Sequence, residues 1–303
     1  SVNPRNGLAA GGNAVMITNG RIGDGSSITN ATLCGVPAAI LEQGTNWVNV
    51  QCGPGTPGIG DLLIQSDSDI VVSNAYAYNS TGTIFAAAPD NGSFLGGYQV
   101  VISGTNLCDG TDATNVTLCG VSAAVVGQSP TQIVVVAGAA AATGLGDVRV
   151  FSAGHGESVK LNGFEYVKAD QVISEFLPTN GSVFAVSGTA RLSATASSGL
   201  PVSFAVGSGP ATITGGTNLT FNGIGAVSVV ASQAGDALWN AATDVTNTFE
   251  ITKDLATETL LDLSHAYDGT PKSAAATTDP AGLVVNFTYD GSATEPFEVG
   301  TYT

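Results

Sequence analysis

Gly96-Gly97-Tyr98-Gln99-Val100-Val101-Ile102-Ser103-Gly104-Thr105-Asn106 opens a run of short strands that closes at Gly163-Phe164-Glu165-Tyr166. Val100 and Ile102 alternate with Gln99 and Val101, and further strands are expected at 115–120, 121–127, 133–136 and 147–151. β-branched runs recurring about every 8–12 residues between Gly, Asn, Asp and Ser mark an antiparallel sandwich. The alanine-rich 137–142 is too short and too glycine-interrupted to stand as a helix, and reads as a loop. A period of two places Val100, Ile102, Val116, Leu118, Val148, Val150, Phe164 and Tyr166 on one face, where they should form the core.

The same pattern stands upstream. Pro4, Asn6-Gly7, Gly11-Gly12 and Leu33-Cys34-Gly35 match Pro89, Asn91-Gly92, Gly96-Gly97 and Leu118-Cys119-Gly120 at an offset of 85. Gly60-Asp61-Leu62 matches Gly146-Asp147-Val148 at 86, and Tyr76-x-Tyr78 matches Phe164-x-Tyr166 at 88. Slowly growing offsets mean small loop insertions within one repeated fold. From Ala169 the pattern changes, with strands expected at 190–197, 202–206 and 226–231, and it changes again from Lys253. Domains are therefore expected at 1–78, 79–168, 169–252 and, in part, 253–303, the last supplying about four strands and ending inside a domain. The expected class is all-β: tandem immunoglobulin-like β-sandwich domains arranged as a rod, because the junctions near Tyr78, Lys168 and Lys253 have almost no length.

The order Gly96-Gly97, strand, Gly104-Thr105-Asn106-Leu107, Val116-Thr117-Leu118-Cys119-Gly120, Gly146-Asp147-Val148-Arg149-Val150 and Phe164-Glu165-Tyr166 resembles the IPT/TIG family of immunoglobulin-like domains. That resemblance implies a sandwich, extracellular or at the surface in many bacterial and algal proteins and DNA-contacting in some transcription factors. Ser198-Gly199-Leu200-Pro201-Val202 and Ala231-Ser232-Gln233-Ala234-Gly235-Asp236, followed by Trp239-Asn240-Ala241-Ala242, resemble bacterial Ig-like repeats of very large surface proteins. His265-Ala266-Tyr267-Asp268-Gly269-Thr270-Pro271-Lys272, 285–291 and Gly300-Thr301-Tyr302-Thr303 are similar to the MBG-type repeat that commonly follows such units.

Eight Lys and Arg against 24 Asp and Glu give a net charge of −16, which repels a phosphate backbone and argues against a nucleic-acid partner. No stretch approaches the ~18 continuous apolar residues of a membrane span, and no Lys- or Arg-headed signal segment stands at the start. Cys34, Cys52, Cys108 and Cys119 allow three pairings. The second cysteine of each module is not duplicated, so the simplest framework is Cys34 with Cys52 and Cys108 with Cys119, and the alternative is buried reduced thiols. They lack metal-site spacing, and neither a metal nor a cofactor is expected.

The residue types that could carry chemistry are sparse. His155 lies in a glycine-flanked surface turn, and His265 reads as a strand-edge residue. Asp67 with Asp69, and Asp109 with Asp112, lack the spacing of a Ca²⁺ loop and read as solvated turns. Trp47 and Trp239 read as packing residues rather than sugar platforms. Asn-x-Ser/Thr sequons at Asn30, Asn79, Asn91, Asn115, Asn180, Asn218 and Asn286 mark candidate glycosylation sites where the source glycosylates exported proteins. The expectation is a non-enzymatic extracellular or cell-surface structural protein: the repeating subunit of a filament or appendage, or the stalk of a giant adhesin. Its partners would be copies of itself or neighbouring domains of a longer chain. The alternative is an adhesive module that grips glycan or protein through loops at a sandwich end.

Overall fold

The computed structural model describes residues 1–303, and every regular element in it is a strand. The chain divides into two compact units, Ser1–Gln171 together with Gly235–Ala241, and Val172–Ala234 together with Ala242–Thr303.

The first unit holds two sandwiches. One is built from β1 (Val2–Asn3), β2 (Asn6–Leu8), β3 (Ala14–Thr18), β4 (Asn30–Leu33), β5 (Val36–Gln43), β6 (Trp47–Cys52), β7 (Gly58–Gln65) and β8 (Ile70–Asn79). The other is built from β9 (Thr83–Ala88), β10 (Asn91–Ser93), β11 (Gln99–Thr105), β12 (Ala113–Leu118), β13 (Val121–Ser129), β14 (Gln132–Val136), β15 (Gly144–Ser152) and β16 (Gly156–Val167). Strand order is β1-β3-β6-β5-β4-β7-β8-β2 in the first and β9-β11-β14-β13-β12-β15-β16-β10 in the second, the same path twice. Bulges at Ile40/Glu42 and Val125/Gly127 let β5 and β13 leave one layer and join the other. Residues 137–142 form the loop that their composition implied.

Alternation decides what is inside. All eight expected core residues of the second sandwich are at most 1% exposed, and Ile133, Val135 and Leu107 are buried with them. Val15, Val48, Val50, Leu33, Leu62 and Ile64 form the matching core of the first. Each such side chain, fully buried, contributes roughly 1.5–3 kcal/mol.

The second unit contains β17 (Ile173–Leu177), β18 (Val183–Ala185), β19 (Thr189–Arg191), β20 (Ser193–Ala196), β21 (Ser203–Ser208), β22 (Ala211–Thr214), β23 (Asn218–Phe221), β24 (Gly225–Ser232) and β25 (Val245–Thr252). The single strand expected at 190–197 is two strands, because Leu192 turns inward to 1% exposure, and β19 then pairs with β23 while β20 pairs with β17. Leu219, Val227, Val229, Phe249 and Ile251 fill the core between the sheets.

Residues 253–303 differ more. About four strands were expected there, and two form: β26 (Thr257–Leu261) with β27 (Ala275–Asp279). Residues 285–288 and 300–303 are irregular, and Tyr289 makes one bridge, to Ser292. A two-stranded ribbon has no second layer to cover its faces, so every residue of β26 is exposed and Leu255, Val284 and Val299 stand 94, 88 and 80% exposed.

Candidate functional site

The most strongly repeated constellation lies at the Cys-Gly dipeptides. Leu33 pairs with Val36 and Leu118 with Val121, so each dipeptide is a two-residue hairpin link. Its φ values are 51° and 76° at Cys34-Gly35, and 51° and 79° at Cys119-Gly120. Positive φ at both central residues is the type I′ turn, whose twist fits the flanking strands. The turn folds over the bulge in the next hairpin. Cys34 N donates to Asp61 O and Cys119 N to Asp147 O, both at 2.8 Å. A Cβ on Gly60 would stand 2.8 Å from Cys34 Cα, and one on Gly146 2.9 Å from Cys119 Cα, so only glycine fits beneath either turn. The Cys34 thiol donates to Tyr76 O (3.2 Å) and the Cys119 thiol to Phe164 O (3.1 Å).

A tyrosine hook closes the same end. Tyr78 Oη donates to Gly53 O (2.8 Å) and Tyr166 Oη to Gly138 O (2.9 Å), and burial pushes both phenols up to about 12. Between turn and hook the sandwiches differ by a coupled exchange. Cys52 Sγ donates to Tyr76 Oη at 3.3 Å in the first, whereas the second has Ala137 and Phe164 at the matching places. Thiol and hydroxyl are absent together, so neither sandwich buries one without its partner.

The expected disulfides do not form; all four cysteines are free thiols, and burial pushes each of them up. Cys108 precedes β12 and Cys119 follows it, and six residues at ~3.3 Å each hold the two far beyond the ~7 Å Cα limit of a disulfide. Cys34 and Cys52 address opposite ends of one tyrosine, the first its backbone oxygen and the second its hydroxyl. Cys108 Sγ instead donates to Ser129 O at 3.2 Å.

Of the acidic pairs, Asp109 and Asp112 are turn organisers. Asp109 Oδ1 accepts from Thr111 N (3.0 Å) and Oγ1 (3.2 Å), repeating Asp24 with Ser26 in the first sandwich. Asp112 accepts from Asp109 N (2.7 Å), Ser152 Oγ (2.7 Å) and Gly154 N (2.6 Å). Burial raises the Asp112 carboxyl, and those hydrogen bonds outweigh it and hold the group below the usual range. Sequence reading missed this role, although the offset of 85 that places Asp112 on Ser27 was a usable signal. Asp67 and Asp69 sit in the exposed turn between β7 and β8.

His155 Nδ1 lies 2.9 Å from Ser80 O, and His265 Nε2 3.2 Å from Ser273 O; the structure brings neither histidine to a nucleophile. Trp47 is only half-buried, on the side of β6 opposite Val48 and Val50, and covers Gly44 rather than entering the core. Trp239 packs edge-on against Phe94, ring centroids 5.5 Å apart, within the first unit. Among the sequons, Asn30 donates to Gln65 Oε1 and Asn79 to Gly154 O, both half-buried, and Asn91 donates to Asp90 Oδ1. Asn180 accepts from Thr248 N, while Asn115, Asn218 and Asn286 are exposed.

Comparison with known proteins adds family matches to this geometry. Residues 83–166 match the family model of the IPT/TIG domain, and residues 256–303 that of the MBG domain. No curated protein matches the chain. Among solved structures, it is similar to the full extracellular region of plexin A4 at 18% identity and a TM-score of 0.41, over 74% of this chain and 20% of that one. It is similar to SGBP-B from a complex xyloglucan utilisation locus of Bacteroides uniformis at 11% identity and a TM-score of 0.27, over 76% of this chain and 64% of that one. It is also similar to the insect immune protein hemolin at 10% identity and a TM-score of 0.31, over 80% and 76%. The chain thus spans a fifth of the plexin region it matches.

Proposed function

We propose that the chain is a non-enzymatic, extracellular structural protein, a repeating element of a surface filament or appendage or of a giant adhesin's stalk. What the two sandwiches of the first unit retain in common carries this reading. They share scaffold: the Cys-Gly turn, Gly60 and Gly146 beneath it, and the tyrosine hook. On the outer face they differ at one charged cluster, with Leu63 in one where the other has Arg149, paired to Asp147 and Glu157 at 2.9 and 2.7 Å. Features repeated in both copies that serve the backbone are features of architecture. The extracellular assignment rests on the matching domain type and on the acidic, lysine-poor composition, which limits self-aggregation; four free thiols lend it no support.

One observation favours the adhesive alternative. Exposed apolar side chains recur at matching places, Ile59 with Leu145 (66 and 60% exposed) and Val71 with Val159 (61 and 38%), and exposed apolar residues that gather into a contiguous patch mark contact surfaces. Immunogold electron microscopy of the native cell surface separates the two readings. Label repeating along fibres or stalks supports the structural role, whereas saturable binding to a glycan array, with label scattered over the envelope, replaces it with the adhesive one.

A further inference from the structure

We propose that the turn at 152–156, between β15 and β16, is a latch that fixes the first two sandwiches as one rigid body. Only 80–82 separates β8 from β9, and Gly82 could give so short a link freedom to swivel. The latch removes that freedom from both sides. Within the second sandwich, Asp112 holds the turn through Ser152 Oγ and Gly154 N, and Ser152 Oγ in turn accepts from His155 N at 3.0 Å. Across the junction, Asn79 Nδ2 donates to Gly154 O at 3.0 Å, and the His155 ring reaches Ser80 O at 2.9 Å. Asn106 Nδ2 holds the Ser80 hydroxyl at 2.9 Å, so the link is gripped from a second loop as well.

Space is committed along with the hydrogen bonds. A Cβ on Gly156, which has a φ of 77°, would stand 3.2 Å from Leu8 Cδ2 of the first sandwich, and one on Gly82 would lie 2.5 Å from Asn106 O. The equivalent turn of the first sandwich shows what the second has acquired. There, Ser66-Asp67-Ser68-Asp69 has neither His nor Gly, Ser66 Oγ donates to Ile22 O at 2.8 Å, and Ser27 stands where the second sandwich has Asp112. The anchoring carboxylate, the histidine and the glycines are thus features of the copy that has a sandwich ahead of it in this chain. The inference is independent of the role proposed above.

Residual dipolar couplings of the deuterated full-length chain provide the test. In the wild type, amides of the first and second sandwiches should report one shared alignment tensor. Asn79→Ala with His155→Ala removes both bonds across the junction and touches neither core; it should keep the amide shifts of Val50 and Val135 and lose the shared tensor. Asp112→Ala should do the same from within the second sandwich, and if that sandwich unfolds, the double variant carries the test by itself. Two tensors in the wild type, or one tensor persisting in the folded double variant, would overturn the latch.

Discussion

Cys52 and Tyr76 can be examined by an exchange the chain already contains, since the second sandwich replaces the pair with Ala137 and Phe164. Cys52→Ala and Tyr76→Phe should each cost about 1–2 kcal/mol, because each leaves a buried polar atom without its partner. The double variant should cost clearly less than the sum, and urea unfolding of the four proteins measures the difference; strict additivity would show that the two groups do not act as a pair. Glycines beside the turns give a second contrast. Gly146→Ala drives a Cβ to within 2.9 Å of Cys119 backbone and should cost about 1–3 kcal/mol. Gly35→Ala meets open space and suffers only its φ of 76°, at about 1–2 kcal/mol, so thermal scans should rank the two in that order. Both glycines were visible in the sequence as repeated letters. Their different reasons, a close approach at one and a handed backbone at the other, were not visible, because a lone sequence does not say which segment passes beneath which turn.

At the scale of elements, the core of the second sandwich was readable because β12 alternates from Asn115 to Leu118 and β15 from Asp147 to Ser152. Leu118→Ala should therefore cost roughly 2–5 kcal/mol, read as a shift in the unfolding midpoint at unchanged slope. The split of β19 from β20 was not readable, since Ala190 to Ser197 has the composition of one strand and only the inward turn of Leu192 breaks it. The disulfide expectation failed for a related reason: the unduplicated second cysteine of each module suggested a pair within that module, while β12 between Cys108 and Cys119 is extended and holds them apart. Asp112 adds a pH dependence at this scale. Its folded value lies below that of an unfolded carboxyl, about 3.9, so the stability it contributes is fully present above that value and disappears as pH falls through the folded one. Asp112→Asn should lower the urea midpoint of the second sandwich at pH 7, and the gap from wild type should narrow at pH 3. A gap that stays constant would mean that the carboxylate charge is immaterial.

For the whole molecule, the thiols give a direct reading of the fold. Cys34 and Cys119 are half-exposed and Cys52 and Cys108 buried, so a thiol reagent should modify two groups in the native chain and the other two only after denaturant. The intact mass without reductant should be that of four free thiols, and a mass lower by two or four hydrogens would restore the disulfide framework. Offsets growing from 85 to 88 made the repeated architecture of the two sandwiches readable from Pro4 to Tyr166, whereas residues 285–288 and 300–303 carry strand-like words that do not assemble into strands. Val285 and Phe287 have β propensity, but propensity becomes a strand only where a neighbour supplies cross-strand hydrogen bonds, and residues 285–288 have none to pair with.

The placement of the two indoles turns the molecule into its own optical instrument. Trp47 stands on β6 of the first sandwich and Trp239 against Phe94 of the second, and the 62 residues that follow Ala241 contain no tryptophan. Tryptophan emission, excited to the red of tyrosine absorption, is therefore blind to the exposed C-terminal segment, whose aromatic fluorophores are Tyr267, Tyr289 and Tyr302, and its red shift on denaturation is the sum of two components, one from each indole. Replacing either indole with phenylalanine leaves a single-channel record of the other, so that unfolding of the first sandwich and release of the Gly235–Ala241 segment from Phe94 can be followed separately by emission wavelength.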